Sequence, residues 1–385
     1  MDGLSLYIHI PFCARKCAYC DFCSYPAATG RADAYLDALE RELRAKGERL
    51  SAAQDADGRV RLRTLYIGGG TPTLLRAAQL ERLLRAVRTH FVLLPSAEAT
   101  LEANPGTLTR EKLDACVQGG INRLSMGMQA VQPALLGMLG RIHDFAQVEQ
   151  GVRMARAAGI ANISVDLMYA LPGQTERDWD ESLRAALGLG IEHLSCYELT
   201  LEAGTPLEAR VRSGALSLPE EEVCLAMARM ARERATEAGL HRYEISNYAR
   251  DGFESRHNQA YWECVPYIGA GCAAHGYDVS GGFPGVRYEN TADLEAYIAG
   301  RGVPAASTPV SMEDARFERL MVGLRMVRGM DRTRFERDFG MSVHAAFGER
   351  LGQLIAQGLL QEEAGFLSCT PRGMDVQNAL LVALM

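Results

Sequence analysis

No apolar run in this sequence approaches the roughly 20 residues that a helical bilayer span requires. The opening residues, MDGLSLYIHIPF, lack the basic flank and small-residue cleavage site of a secretory signal, and they read as a strand. Positive charge is not in excess either. Lys and Arg number 41 against 48 Asp and Glu, a formal net charge of −7, which argues against a polyanion such as nucleic acid as partner. The expectation is a cytoplasmic globular protein without transmembrane segments. Its 385 residues, 48% of them hydrophobic, suffice for one large α/β domain and a smaller one.

A disulfide framework is not expected in that compartment, so the ten cysteines need another account. Six of them, Cys116, Cys196, Cys224, Cys264, Cys272 and Cys369, are scattered and read as small buried hydrophobes. The remaining four crowd into residues 13–23.

Short β-branched or apolar runs alternate with longer amphipathic ones. Strands are expected at Leu4–Ile10, Thr64–Gly68, Ala99–Ala103, Arg123–Met126, Ile163–Met168 and His193–Leu199. Helical patterns fall between them at 34–50, 79–91, 110–118, 146–158 and 177–187; the second sets Leu80, Leu83, Leu84 and Val87 on one face. Six such units imply a parallel sheet with crossover helices, as a partial barrel or a doubly wound sheet, and periodicity does not choose between them. In either, ligands belong at the C-terminal strand ends. A helix at 219–238 and a strand at 242–248 complete the first domain, residues 1–248. Residues 249–301, rich in glycine and aromatics, read as an irregular segment packed on it, and Gly302–Pro309 as a linker. The domain 302–385 shows three helices (313–327, 332–339, 343–357) and a hairpin (359–370), a winged-helix-like pattern. Its last helix has no dense basic face, so packing or lid duty is favoured over DNA binding.

At the end of the first strand comes Cys13-x3-Cys17-x2-Cys20. Three thiolates in one loop can hold a [4Fe-4S] cluster, which usually takes four; with three, one iron keeps an open site for a ligand. Structural zinc is the alternative, with Cys23 or His9 as the fourth ligand. At the end of the second strand, Gly68-Gly-Gly-Thr-Pro72 removes Cβ atoms where backbone can approach a ligand, though a tight turn would also explain it. Glu102, Gln129 and Asp166 close the next strands. Any one of them alone reads as a helix cap, but three at successive strand ends favour a site. Arg141 offers a fork for a carboxylate, or a surface salt bridge.

The cysteine spacing at a first strand end resembles the signature of the radical S-adenosylmethionine (SAM) superfamily. Leu-Tyr-Ile-His-Ile-Pro-Phe-Cys, Gly-Gly-Gly-Thr-Pro, Glu-Ala-Asn-Pro-Gly, Asn-Arg-Leu-Ser-Met-Gly-Met-Gln and Asp-Leu-Met-Tyr-Ala-Leu-Pro-Gly-Gln-Thr resemble the family around oxygen-independent coproporphyrinogen III oxidase over almost the whole chain. The resemblance implies an α/β fold, a partial (β/α)6 radical SAM barrel with a C-terminal helical, winged-helix-like module. It implies that Cys13, Cys17 and Cys20 bind the [4Fe-4S] cluster. Tyr7, Gly69, Gly70, Thr71, Glu102, Gln129, Arg141 and Asp166 correspond to residues that contact S-adenosyl-L-methionine. An electron donor for the cluster is implied as well.

Two features place the resemblance in the HemW branch, whose members resemble haem chaperones. Phe22 stands where the oxidase pattern has a further cysteine, with Cys23 one step out of register. His257-Asn-Gln-Ala-Tyr-Trp262 and the glycine-rich turn ending in Ala274-His275 are similar to that branch's motifs. They imply haem as a third cofactor, His257 or His275 as its ligand, and haem-accepting partners such as respiratory enzymes. The expected function is haem binding and transfer without coproporphyrinogen III oxidase activity. The decarboxylase is the alternative, and a DNA-binding regulator the distant third.

Overall fold

In β1 (Leu4–Ile10), Leu6, Ile8 and Ile10 are fully buried on one face, while Ser5, Tyr7 and His9 occupy the other. The same alternation runs through β2 (Val60–Gly69), β3 (Phe91–Ala103), β4 (Arg123–Gln129), β5 (Asn162–Tyr169) and β6 (His193–Glu198). Their apolar faces form one core with α1 (Ala32–Ser51), α2 (Ala77–His90), α3 (Arg110–Gly119), α4 (Phe145–Ala157) and α5 (Glu176–Gly188), through side chains such as Leu39, Leu83, Leu113, Val148 and Trp179. The structure is a computed structural model and describes residues 3–26, 28–51 and 59–384.

The six strands are parallel and lie side by side in chain order. A doubly wound sheet reverses its order at a switch point and carries helices on both faces. Unreversed order, with right-handed crossovers, keeps every helix on one side. The other face curls inward. Tyr243 Oη meets His193 Nε2 of β6 at 2.9 Å and accepts from Ser255 N–H at 3.1 Å, two residues before His257, whose Nδ1 meets Thr64 Oγ1 of β2 at 2.8 Å; in a flat sheet β2 and β6 would stand about 19 Å apart. The fold is therefore the partial barrel. Its concave face carries Ser5, Thr64, Thr100, Ser125, Ser164 and Ser195, all buried.

Beyond β6 the sheet continues on both edges. β7 (His241–Arg242) and β8 (Asn247–Ala249) extend it antiparallel past β6, after α6 (Glu221–Glu237). The segment expected to be irregular contains α7 (Arg256–Trp262), then β9 (Tyr267–Ala270), which lies parallel to β1, then β10 (His275–Asp278) and β11 (Val286–Glu289). The expected linker holds an edge strand, β12 (Ala306–Pro309), paired with β11. Strands of four residues broken by glycine leave too little period-2 pattern to register in a sequence. The twelve-stranded order is β12-β11-β10-β9-β1-β2-β3-β4-β5-β6-β8-β7.

The C-terminal part has its own core around Leu320, Phe335, Leu351 and Leu367. Three helices, α8 (Met312–Gly323), α9 (Arg332–Phe339) and α10 (Val343–Ala356), pack with the hairpin β14 (Leu360–Glu363) and β15 (Phe366–Cys369). A two-residue strand, β13 (Met330–Asp331), adds to β15. Two short helices, not expected from the sequence pattern, follow the hairpin at Pro371–Asp375 and Gln377–Leu384.

One buried carboxylate fastens the β9–β10 turn to the barrel. Glu42 of α1 accepts from Gly271 N–H at 2.9 Å, Asn290 Nδ2 at 2.7 Å and Tyr297 Oη at 2.6 Å, and pairs with Lys46 at 3.0 Å. Glu42→Leu leaves Gly271 N–H and Tyr297 Oη without an acceptor and strips Lys46 of its counter-charge, although its ammonium still donates to Gly269 O at 2.7 Å and Asn290 Nδ2 to Gly271 O at 2.8 Å. The expected loss is about 3–5 kcal/mol of unfolding free energy. An unfolding free energy from denaturant titration within about 1 kcal/mol of wild type would refute this network's weight.

Candidate functional site

The three glycines that end β2 decide what lies at the mouth of the barrel. A Cβ on Gly68 would sit 2.8 Å from the Glu102 carboxylate, and one on Gly69, at φ +107°, would sit 2.5 Å from the His9 ring. One on Gly70 would sit 2.6 Å from the Phe12 carbonyl oxygen. Without side chains the turn closes on the loop after β1: Gly70 N–H donates to Ile10 O at 2.8 Å and Thr71 N–H to Phe12 O at 2.7 Å. Each glycine thus has a packing reason beside the ligand approach read from the sequence.

That contact seats the cysteine loop on the strand ends. Phe12–Cys13 pairs with Tyr25–Pro26, and the loop between arches over the barrel mouth. Ala18 is tied on both sides, donating to Leu139 O at 2.9 Å and accepting from Leu207 N–H at 2.8 Å. Cys13, Cys17 and Cys20 are half-buried and unpaired with one another. Thr71 Oγ1 lies 3.8 Å from Cys13 Sγ, and Arg141 Nη1 lies 3.7 Å from Cys17 Sγ. Asn104 joins these two supports, donating to Thr71 Oγ1 at 2.8 Å and accepting from Arg141 Nη2 at 2.6 Å. Arg141 also donates to Gly127 O at 2.6 Å. A chain Thr71–Asn104–Arg141 therefore spans the ends of β2, β3 and β4 beneath the thiols.

Burial pushes the Cys20 thiol up to about 11, opposed by a bond from the Phe22 backbone, with Cys17 and Cys13 adding repulsion. Cys13 is likewise raised, first by burial. The three thiols thus sense one another. They do not converge as the ligands of one ion: among the described residues no three His, Cys, Asp or Glu side chains do. Zinc needs its ligands gathered at about 2.3 Å from one centre, whereas a cuboidal cluster gives each thiolate its own iron. Three half-buried thiols beside Arg141 suit an anionic cluster. Cys23 faces away: its Sγ donates to Ala292 O at 3.5 Å.

Below the loop sits a half-buried carboxylate. Glu102 accepts from Tyr66 Oη at 2.7 Å and Gly69 N–H at 3.0 Å. Burial holds its carboxyl up at about 7 against an ordinary 4.5, the Tyr66 bond opposing and Asp166 adding to the rise. Asp166 is also raised by burial, against bonds from Ser195, Ser125 and Ser164. Tyr7 stacks on Tyr66 and donates to His9 Nδ1 at 2.9 Å. Gln129 is buried at a bulge and holds a left-handed backbone, φ +65°, rare for a side chain of its kind. Of the residues singled out in the sequence, Thr71 touches Cys13, Arg141 touches Cys17, and Glu102 is tied to the same glycine turn through Gly69. Tyr7 and Asp166 join them through Tyr66 and the field at Glu102. Tyr66 and Asn104 escaped the sequence reading. Tyr66 is legible in retrospect, because it alternates with Thr64 and Gly68 on the concave face.

The two histidines differ. His257, on α7, is 1% exposed and fills the barrel beneath Tyr66, with ring centroids 5.1 Å apart. Its Nδ1 meets Thr64 Oγ1 at 2.8 Å and its Nε2 meets Tyr261 Oη at 2.9 Å, so both nitrogens are engaged. Burial lowers its pKa to about 3, so the ring is neutral. His275, at the start of β10, has a side chain 66% exposed, with Glu289 3.8 Å away.

A polar, curled parallel sheet with a three-thiol loop at its C-terminal mouth is the architecture of a radical SAM protein. Residues 7–186 match the family model of the radical SAM superfamily, and 310–376 that of the HemN C-terminal domain. The Escherichia coli coproporphyrinogen III oxidase HemN, a radical SAM enzyme, shares the fold at a TM-score of 0.83 and 23% identity, covering 100% of this chain and 90% of that one. The chain is 37% identical to the heme chaperone HemW of Bacillus subtilis, covering 99% of both chains. It is 34% identical to HemW of Escherichia coli, covering 99% of this chain and 98% of that one. A mitochondrial radical SAM domain-containing protein 1 of Danio rerio is 33% identical, over 99% of this chain and 86% of the relative. The chain belongs to the HemW family.

The Glu102 carboxyl gives a pH signature. Its folded pKa lies above its unfolded one, so the native state holds the proton more tightly and the contribution to stability falls as pH rises from about 4.5 to 7. Relative to Glu102→Gln, the wild-type protein without cofactors should lose up to about 3 kcal/mol across that window. Parallel urea melts at pH 5 and pH 7.5 check this; equal differences at the two pH values would refute it.

Proposed function

We propose that this chain is a haem chaperone on a radical SAM scaffold: it binds haem and hands it to haem-dependent proteins, respiratory enzymes among them. The observation that carries the reading is the match, over 99% of both chains, to a relative named heme chaperone HemW. Cys13, Cys17 and Cys20 would hold a [4Fe-4S] cluster, which would supply one-electron chemistry toward S-adenosylmethionine. The domains are read as 1–248 for the barrel, 249–301 for the segment packed on it, and 302–385 for the C-terminal module.

The residues of this chain have assignable work at that site. Thr71 and Arg141 hold the thiols of Cys13 and Cys17 in place through hydrogen bonds to sulfur. Arg141 also offers positive charge to a carboxylate. Glu102, Tyr7 and the backbone of Gly69 and Gly70 would receive the amino-acid end of S-adenosylmethionine, with Gln129 and Asp166 serving the rest of the molecule. An external electron donor and a cytoplasmic location complete the reading; no helix among the described residues is long and apolar enough to cross a membrane.

For haem, we assign different tasks to the two histidines. His275 is exposed and supplies an imidazole to iron. His257, with both ring nitrogens bonded in the core, holds α7 under Tyr66 and acts on haem only through the fold.

After anaerobic reconstitution the protein should carry roughly four iron and four sulfide per chain. Ala in place of Cys13, Cys17 or Cys20 should abolish the cluster, while Cys23→Ala should keep it; cluster loss in the Cys23 variant would remove the three-ligand assignment. The reconstituted protein should also bind haem at about one per chain and leave coproporphyrinogen III unchanged in the presence of S-adenosylmethionine and a reductant. Oxidation to protoporphyrinogen would instead make it the decarboxylase. His275→Ala should weaken haem binding at least about tenfold, the loss of one 1.4 kcal/mol increment. His257→Ala should lower the melting temperature first. The opposite pattern would return the ligand role to His257.

A further inference from the structure

A second pair of cysteines meets beside the three-thiol loop. Cys23 ends the loop and is half-buried; Cys272 lies buried in the turn between β9 and β10. The two are 249 residues apart in sequence, and one residue holds both. The His9 Nε2–H donates to Cys23 O at 2.8 Å. On its other side the His9 carbonyl accepts from Tyr35 Oη at 2.6 Å, and that hydroxyl accepts from Cys272 N–H at 3.1 Å. The turn can come so close only because residue 271 is glycine: a Cβ there would sit 2.5 Å from the His9 oxygen. The two thiols then land on consecutive carbonyls of one strand of chain. Cys272 Sγ donates to Thr291 O at 3.3 Å and Cys23 Sγ to Ala292 O at 3.5 Å. Tyr25 Oη donates to Ala292 O as well.

We propose that Cys23 and Cys272 form a reversible disulfide, a redox modification site separate from the three site cysteines. Its oxidant is a low-molecular-weight disulfide such as oxidised glutathione. The Cys23 thiolate attacks one sulfur of that disulfide and expels a thiolate, leaving a mixed disulfide. The Cys272 sulfur then attacks the Cys23 sulfur, and the second small thiol departs. Two protein thiols lose two protons and two electrons, and one small disulfide becomes two thiols. The neighbouring Cys272 thiol holds the Cys23 thiol below its ordinary range, and partial exposure admits the oxidant, so Cys23 is the attacking partner. Enclosed by the turn, Cys272 resolves. The bond would staple the cysteine loop to the strand that carries His275.

The test uses the anaerobically reconstituted full chain, treated with excess oxidised glutathione, blocked with N-ethylmaleimide, digested and mapped by mass spectrometry. The expected product is a peptide pair linked through Cys23 and Cys272, with two fewer alkylated thiols per chain, reversed by dithiothreitol. In Cys272→Ser, Cys23 should accumulate as the glutathione mixed disulfide. In Cys23→Ser, Cys272 should stay a thiol. The absorbance of the reconstituted cluster should be the same in both variants as in wild type. Full alkylation of Cys23 and Cys272 in treated wild-type protein would overturn the proposal, as would a disulfide from Cys23 to Cys20 or Cys17. Because wild-type mapping decides the pairing, a variant that fails to fold leaves the proposal testable, and it holds or fails independently of the haem reading.

Discussion

The contact between the end of β2 and the loop after β1 governs the rest of this molecule. Two backbone hydrogen bonds, from Gly70 to Ile10 and from Thr71 to Phe12, press a turn without side chains against the chain that leads into Cys13. They fix where the cysteine loop begins. The same turn brings the Gly69 N–H to Glu102 and the Thr71 hydroxyl to Cys13, so a single close approach aligns thiol, carboxylate and strand end. Any side chain at 68, 69 or 70 meets Glu102, His9 or Phe12 within 3 Å, too near for the turn to close unchanged.

Curvature is the second constraint, and it explains an interior that is polar. The crossover helices cover only the convex face, so the concave face is free of the hydrophobic packing that fills both sides of a doubly wound sheet. Hydroxyls, Arg123, His193 and His257 collect there, buried, with the half-buried Asp166 among them. Arg123 stands among Glu102, Asp166 and the two histidines and lowers the pKa of each. Burial without full pairing is costly. It is carried in the part of the fold where family membership places chemistry, as strained or underpaired groups commonly are.

His9 links this interior to the outer layer. Its ring bridges Tyr7 and the Cys23 carbonyl, and its own carbonyl reaches the β9–β10 turn through Tyr35. Glu42 fastens the same turn from α1. The cysteine loop and the glycine-rich turn with His275 are therefore neighbours held by shared partners, although 250 residues of chain separate their sequences.

The sequence by itself determined the strand-then-helix units, the thiol loop at the first strand end and the family that these motifs resemble. Those features rest on local period, local spacing and short motifs, which a chain carries without reference to its fold. It also marked Cys23 as one step out of register with the further cysteine of the oxidase pattern, whose place Phe22 takes. Only the tertiary structure decided that the sheet curls, because strand order and closure depend on which elements meet. It turned the apparent linker into an edge strand, since a four-residue strand is defined by its partner more than by its pattern. Asn104 and Tyr66 became site residues only when β2, β3 and β4 were set side by side, and His257 proved to be a core residue only when Thr64 and Tyr261 closed on its two nitrogens. A hydrogen bond between residues far apart in sequence leaves no local trace, and that is where the sequence fell silent.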